Sequence, residues 1–313
     1  MIYLKHIFII NPYAGKKDQT ARIYAMADAL RQKHGLDCTC MLTDRPGGAT
    51  DMARKLAETG EPIRVYACGG DGTIGEVVNG LAGYPNAAMS CIPVGTGNDF
   101  LKNFGEAAAL FHDAENLWDG DEAELDLIDC NGKLCLTIAC NGIDARVADS
   151  VHRYSKSPAL SGKGSYIASI VVNFLCSAIA RRWTVSIDGG EPETDDYALV
   201  ALCNGRYYGG GFFPVPEAKM DDGILNAVVI RKVTRLEFIR LIGDYSKGKH
   251  KSLPQHLVRV LPVKSIRITA DEDIATCLDG ECSFHREVNL RLADKKIRVF
   301  FPKGATPNAT AAD

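Results

Sequence analysis

The chain has no excess of basic charge. Its 36 Lys+Arg stand against 39 Asp+Glu, a net charge of -3, so the global positive field of a nucleic-acid binder is missing and nucleic acid is not an expected partner. Any membrane contact must be local. There is also no run of about 20 apolar residues, the length a membrane-spanning helix needs. The longest, from Ile167 to Ala180, is interrupted by Ser169, Asn173 and Ser177 and reads as a core helix, with a helix lying in the membrane interface as the alternative. The opening MIYLKHIFIINP lacks the basic flank, long apolar core and cleavage site of a secretory signal, and reads as a first strand. The 11 cysteines include no CxxC pair, which disfavours zinc and a disulfide framework and favours free thiols in a reducing compartment. Neither GxxxxGK[ST] nor a GxGxxG at the first strand-to-helix turn occurs, which removes the two commonest nucleotide fingerprints.

A rhythm of strands and helices is what the sequence does have. Apolar spacing predicts strands at Lys5 to Ile10, Leu36 to Leu42, Ile63 to Ala67 and Ala88 to Pro93, alternating with helices at Gln19 to Lys33, Gly48 to Thr59, Thr73 to Leu81 and Glu106 to Trp118. That order argues for a parallel sheet wound by helices. Beyond Asp119-Gly120-Asp121 the pattern turns to β: Glu124 to Cys130 and Lys133 to Cys140 flank Asn131-Gly132, a hairpin signal. Later strands are expected at 183–187, 197–203, 225–230, 265–269, 275–278, 288–291 and 296–301, with one helix at Arg235 to Tyr245. The fold class is therefore an α/β domain over residues 1–123, followed by a mostly antiparallel β domain over 124–295.

In a parallel α/β sheet, ligands lie beyond the carboxyl ends of the strands. All four turns expected at that edge carry unusual residues: Asn11-Pro12-Tyr13-Ala14-Gly15, Thr43-Asp44-Arg45-Pro46-Gly47-Gly48, Gly69-Gly70-Asp71-Gly72-Thr73, and Gly95-Thr96-Gly97-Asn98-Asp99-Phe100. Glycines let a ligand approach bare backbone, and the following helix offers unsatisfied N–H groups, a combination suited to phosphate. A carboxylate at the centre of such a cradle makes sense beside a divalent cation or a hydroxyl to be oriented. Asp71 therefore points to a magnesium nucleotide and phosphoryl transfer; the plainer alternative is a tight turn with Asp71 as the helix N-cap.

These segments, with NGIDARV at 141–147, GGGFFPVPEAKMDDGIL at 209–225 and LDGE at 278–281, resemble the soluble bacterial diacylglycerol-kinase-like lipid kinases over nearly the whole chain. These are relatives of sphingosine and ceramide kinases and, more distantly, of NAD kinases and phosphofructokinases. The resemblance implies an NAD kinase-like first domain completed by a returning strand at about 296–313, and a second domain shaped like a β-sandwich. It implies ATP contacts from Asn11, Pro12, Tyr13, Ala14, Gly15, Thr43, Gly69, Gly70, Asp71, Gly72, Thr73, Ile74, Gly75, Glu76, Thr96 and Asn98, and a catalytic base at Asp279 or Glu281 acting with Asp71. A structural Mg2+ is implied at Asp222 and the carbonyls of Lys219 and Ile224, with Asp126 in the adjoining polar network. Asp144 is expected near the acceptor head group.

The implied activity is transfer of the ATP γ-phosphoryl group to a lipid hydroxyl, with diacylglycerol the first acceptor to consider. The lipid is expected at a membrane surface, met by a cytoplasmic protein that touches the inner face transiently; a homodimer is compatible with the resemblance. Basic residues at Arg153, Arg181-Arg182 and 246–251 could attract anionic lipid, although solvated loops explain them as well. His152 and His250 read as solvated. The alternatives are an NAD kinase-like enzyme, which shares GGDGT but not GTGNDF or LDGE, and a nucleotide- or lipid-binding regulator without turnover.

Overall fold

The computed structural model describes residues 4–94, 98–143, 145–146, 178–209 and 211–309. They divide into two units. The first comprises residues up to Leu127, Met220–Asp222 and the stretch from Ala293; the second comprises Ile128–Lys219 and Gly223–Leu292. The boundary after Leu127 and the assignment of Met220–Asp222 to the first unit both differ from the expected division at 123.

In the first unit, β1 (Lys5–Ile10), β2 (Asp37–Leu42), β3 (Ile63–Gly69), β4 (Ala87–Pro93), β5 (Asp121–Leu125) and β15 (Ile297–Phe301) form a sheet in the order β2-β1-β3-β4-β15-β5. Every pairing is parallel except β15 with β5. Every residue of β3 and β4 is buried, which is why both read as nearly continuous apolar runs, as strands covered on both faces do. The helices α1 (Thr20–His34), α2 (Gly48–Glu58) and α3 (Asp71–Leu81) follow β1, β2 and β3. Helix α1 ends at Gly35, whose φ of 67° supplies the left-handed C-cap.

The segment expected as a helix from Glu106 to Trp118 forms instead two stretches of 3-10 helix, Phe100–His112 and Ala114–Asn116. Gly105, with φ 57°, interrupts the first of them, a conformation that no α-helix continues through.

The second unit is an antiparallel sheet. It contains β6 (Ile128–Cys130), β7 (Lys133–Cys135), β8 (Ile138–Gly142), β9 (Arg181–Ile187), β10 (Glu193–Cys203), β11 (Leu225–Arg231), β12 (Val258–Val263), β13 (Ser265–Leu278) and β14 (Glu281–Leu292). They run β12-β11-β10-β8-β13-β14-β6-β7, with β9 pairing with β10 and β13. Among the described residues of this unit, helix α4 (Arg235–Ser246) opens on a capping box in which Thr234 and Glu237 exchange side-chain and backbone bonds.

Asn131 and Gly132 have φ of 51° and 90°, the two positive values of the hairpin turn that Asn-Gly favours. The single strand expected at Glu124 to Cys130 is broken at Asp126-Leu127, where the Asp126 N–H leaves the ladder and donates to the Met220 carbonyl at 2.7 Å. The two strands expected at 265–269 and 275–278 are one strand whose pairing with β14 is irregular between Thr269 and Ile274. No apolar pattern announced β12. Among the described residues no helix is long and apolar enough to cross a membrane.

Candidate nucleotide site and candidate catalytic carboxylates

The register of the first sheet brings the strand ends to one edge. Ile10 pairs with Leu42 and with Cys68, and Gly69 pairs with Pro93. The ladder then runs one step into the loops, with N–H groups of Asn11, Thr43 and Val94 donating to carbonyls of Cys68, Ile10 and Gly69. The four glycine-bearing loops therefore leave from one line of backbone.

Contacts between these loops explain several of their residues. Asn11 accepts the Tyr13 N–H at 3.0 Å, which folds the loop back on itself, and its amide nitrogen donates to Thr73 Oγ1 at 3.1 Å. Gly15 has φ 77°, and a Cβ there would lie 2.5 Å from the Val94 carbonyl oxygen. A Cβ on Gly69 would lie 2.2 Å from Thr73 Oγ1. Side chains at these two positions would push the first and fourth loops apart and drive Thr73 off β3. Tyr13 remains exposed, and Thr43 is buried.

The N-cap of α3 is Gly70, so Asp71 is the first helical residue and the reading of Asp71 as the N-cap is corrected. Its carboxylate oxygens accept N–H groups from Asn98 at 2.9 Å and Asp99 at 3.1 Å, tying the GGDGT turn to the loop after β4. Glu76 sits one turn along α3 and accepts N–H groups from Gly47 at 2.8 Å and Ala49 at 3.0 Å. It caps the start of α2, a charge-assisted role at a helix N-terminus. Gly70, Gly72, Ile74 and Gly75 lie in this same turn and helix; Ile74 is buried. Gly95, Thr96, Gly97 and Asp144, together with His152, Arg153 and most of the 167–180 run, lie outside the described residues.

A polar network also belongs to the first unit. Asp126 is buried, and one of its oxygens lies 2.9 Å from the Lys296 ammonium, which raises the lysine pKa chiefly through that hydrogen bond. Asn308 accepts the Met220 N–H at 3.0 Å and donates to Asp221 at 2.9 Å. Asp222 is exposed, as are Lys219 and Ile224. Among the described residues no group of three or more His, Cys, Asp or Glu side chains is arranged to hold a metal. The donors proposed from the sequence are of another kind, one carboxylate and two carbonyls, and oxygen donors of that kind suit a hard cation that keeps several waters. Lys296 and Asn308 were not foreseen, because their partners lie far away in sequence.

In the second unit the LDGE segment makes the corner between β13 and β14. Asp279 (φ 45°) and Gly280 (φ 94°) occupy the two turn positions. The Asp279 carboxylate accepts N–H groups from Leu136 at 2.7 Å, Thr137 at 3.1 and 3.2 Å, and Ile138 at 2.9 Å. Burial raises its pKa, and the N–H groups pull the other way. Both oxygens are thus engaged with backbone. Glu281 is exposed and pairs with Lys133 at 2.6 Å. His250 is not solvated as expected but buried, 3.1 Å from Glu217, which also faces Lys251 at 3.5 Å.

Among the described residues, the α/β unit thus carries glycine-bearing turns and an anchored aspartate at its strand ends, and the antiparallel β unit carries a corner with two carboxylates. Residues 5–130 match the diacylglycerol kinase catalytic domain, and residues 137–301 match the YegS C-terminal NAD kinase beta sandwich-like domain. The chain belongs to the diacylglycerol kinase and YegS-like family of lipid kinases. It is 28% identical over 297 residues to a Staphylococcus epidermidis protein named diacylglycerol kinase, covering 94% of this chain and 91% of that one. A Staphylococcus saprophyticus protein of the same name is 26% identical, with 94% of each chain covered. The crystal structure of a diacylglycerol kinase from Bacillus anthracis superposes with a TM-score of 0.69 at 22% identity, covering 95% of this chain and 96% of that one, a likeness of fold.

Proposed function

We propose that the protein transfers the γ-phosphoryl group of Mg·ATP to the hydroxyl of a membrane lipid, with diacylglycerol as acceptor and phosphatidic acid as product. In the balanced step the lipid oxygen bonds to γ-phosphorus as the bond to the β,γ-bridging oxygen breaks, ADP leaves, and the hydroxyl proton passes to a carboxylate. The observation that carries this reading is the stitching of Asp71 to the Asn98 and Asp99 N–H groups, which fixes one glycine loop against another at the strand-end edge. Asn11 to Gly15, Thr43, Gly69 to Glu76, Thr96 and Asn98 are proposed to hold the nucleotide, with Glu76 acting through the α2 N-terminus that it caps.

For the base, hydrogen bonding favours Glu281. Both oxygens of Asp279 are already engaged by the N–H groups of Leu136, Thr137 and Ile138, which holds that carboxylate against 136–138, so Asp279 is assigned the task of anchoring the corner, whereas Glu281 is exposed. Asp222 with the carbonyls of Lys219 and Ile224 is proposed to hold a magnesium ion. Asp126, already paired with Lys296, supports that loop without being a ligand. Magnesium accompanying ATP would neutralise charge on the phosphates.

The test is transfer of labelled γ-phosphate from Mg·ATP into an extracted bacterial lipid mixture, with NAD as a parallel acceptor and Asp71→Ala as control. A labelled organic-soluble product that disappears in the control supports the proposal, and its mass identifies the acceptor. Label found only in NADP would move the chain to the NAD kinase reading, and ATP binding without any transfer would make it a regulator.

A further inference from the structure

Three cysteines stand side by side under the corner that carries Asp279 and Glu281. Cys277 on β13 is directly opposite Cys282 on β14 and also directly opposite Cys140 on β8. All three meet in one apolar cluster of the second unit, and the Cys282 thiol donates to the Ala145 carbonyl at 3.6 Å. Cys140 and Cys277 are buried; Cys282 is half-buried, which leaves it open to a small solute.

The register decides which pair can close. Leu278 and Glu281 flank the two-residue turn, so they are the hydrogen-bonded pair that such a hairpin begins with. The next pair, Cys277 and Cys282, is therefore a non-hydrogen-bonded one, in which Cα atoms come to about 4.5 Å. That spacing falls within the range of about 4.4–6.8 Å that a disulfide spans.

We propose that Cys277 and Cys282 form a peroxide-sensitive dithiol that closes to a disulfide across the base of the LDGE corner and lowers turnover when closed. The inference about turnover rests on the lipid kinase reading; the inference about the bond does not. The oxidant is a hydroperoxide. The Cys282 sulfur attacks one peroxide oxygen, the O–O bond breaks with release of water, and Cys282 becomes a sulfenic acid. The Cys277 sulfur then attacks the Cys282 sulfur, the S–O bond breaks, and the hydroxyl leaves with the Cys277 proton as a second water. Two thiols and one H2O2 give one disulfide and two waters. Closing the bond brings the two sulfurs to about 2 Å apart. It does so one residue from Leu278 and Glu281, in a hairpin whose corner is pinned to 136–138 by Asp279. Displacements of about 1 Å at a reacting group cost on the order of 100-fold in rate.

The test uses the full chain, fully reduced and then treated with hydrogen peroxide, followed by alkylation, peptide mapping and assay of phosphate transfer to diacylglycerol vesicles. A linked 277–282 peptide and at least a 10-fold fall in turnover are expected, both reversed by dithiothreitol. Both should be lost in Cys282→Ser and kept in Cys40→Ser, whose half-buried thiol controls for nonspecific oxidation. The reduced Cys282→Ser chain should turn over normally. Absence of the linked peptide overturns the proposal, as does a linked peptide with undiminished turnover. A reduced chain that phosphorylates no lipid refutes the functional reading instead, and the peptide map still decides whether the dithiol closes.

Discussion

Asp71 and Asp279 each sit at a sharp turn and each collect backbone N–H groups on both carboxylate oxygens, yet they stitch different things together. Asp71, at the start of α3, holds the N–H groups of Asn98 and Asp99, so it ties the GGDGT turn to the segment that leads into Phe100. Asp279, at the corner of a hairpin, holds the link between β7 and β8 and leaves Glu281 on the exposed side. An aspartate in a glycine-rich turn is thus not in itself a catalytic group. What it fastens decides what its loss will do.

The largest effect is expected from Asp71→Ala. Releasing the loop after β4 should lower transfer by at least roughly 1,000-fold while far-UV circular dichroism stays unchanged, since preorganised groups at a reacting phosphate contribute on that scale. Normal turnover would remove the nucleotide site from this edge.

Glu281→Gln and Asp279→Asn sharpen the comparison between the two carboxylates of the corner. The first should lower kcat by roughly 100- to 10,000-fold, the range for loss of a general base, with an unchanged melting temperature. The second sets an amide donor against three backbone donors, and should cost about 1–3 kcal/mol of stability as well as activity. Equal stability losses in both variants, read by urea titration, would erase the distinction drawn between anchor and base.

Gly15→Ala tests whether the first and fourth loops must touch. With φ 77° and a Cβ 2.5 Å from the Val94 oxygen, the variant should raise KM for ATP several-fold and lower stability by about 1 kcal/mol or more; unchanged ATP kinetics would show that the contact is dispensable.

Stability should also depend on pH. His6 is buried beside Tyr66, 2.9 Å from its hydroxyl, and burial, aided by Arg64, holds its pKa down to about 4. Between pH 6.5 and 4 the unfolded chain binds the proton and the folded chain does not, so stability is lost as pH falls through that window, by about 3 kcal/mol in all. His6→Gln should flatten this slope. A slope that persists would assign the acid loss to other groups.

Much of the first unit was legible because its signals are local. Fully apolar strands, helical spacing and glycines after each strand are written within a few residues, and β1 to β4 lie within one or two residues of where they were expected. The 3-10 stretch after β4 was misread because its apolar spacing suits a helix, whereas Gly105 acts through its φ. In the candidate sites, residue types were visible and their partners were not. Nothing near Asp279 indicates that its donors are the N–H groups of 136–138, about 140 residues earlier. Nothing near Asp126 points to Lys296, and Glu76 reads as a ligand contact until α2 is seen folded against it. Strand β12 escaped because Leu261 and Pro262 break the alternation that Val258-Arg259-Val260 begins; its partner β11 supplies the ladder.

The most direct test of the central claim is a single-turnover measurement of labelled γ-phosphate transfer from Mg·ATP to diacylglycerol in vesicles, comparing the wild-type chain with Glu281→Gln at saturating ATP. Rapid formation of labelled phosphatidic acid in the wild type, slowed at least 100-fold in the variant with ATP affinity unchanged, is the predicted result. Equal rates in the two chains, or no labelled lipid from a wild-type chain that binds ATP, would contradict it.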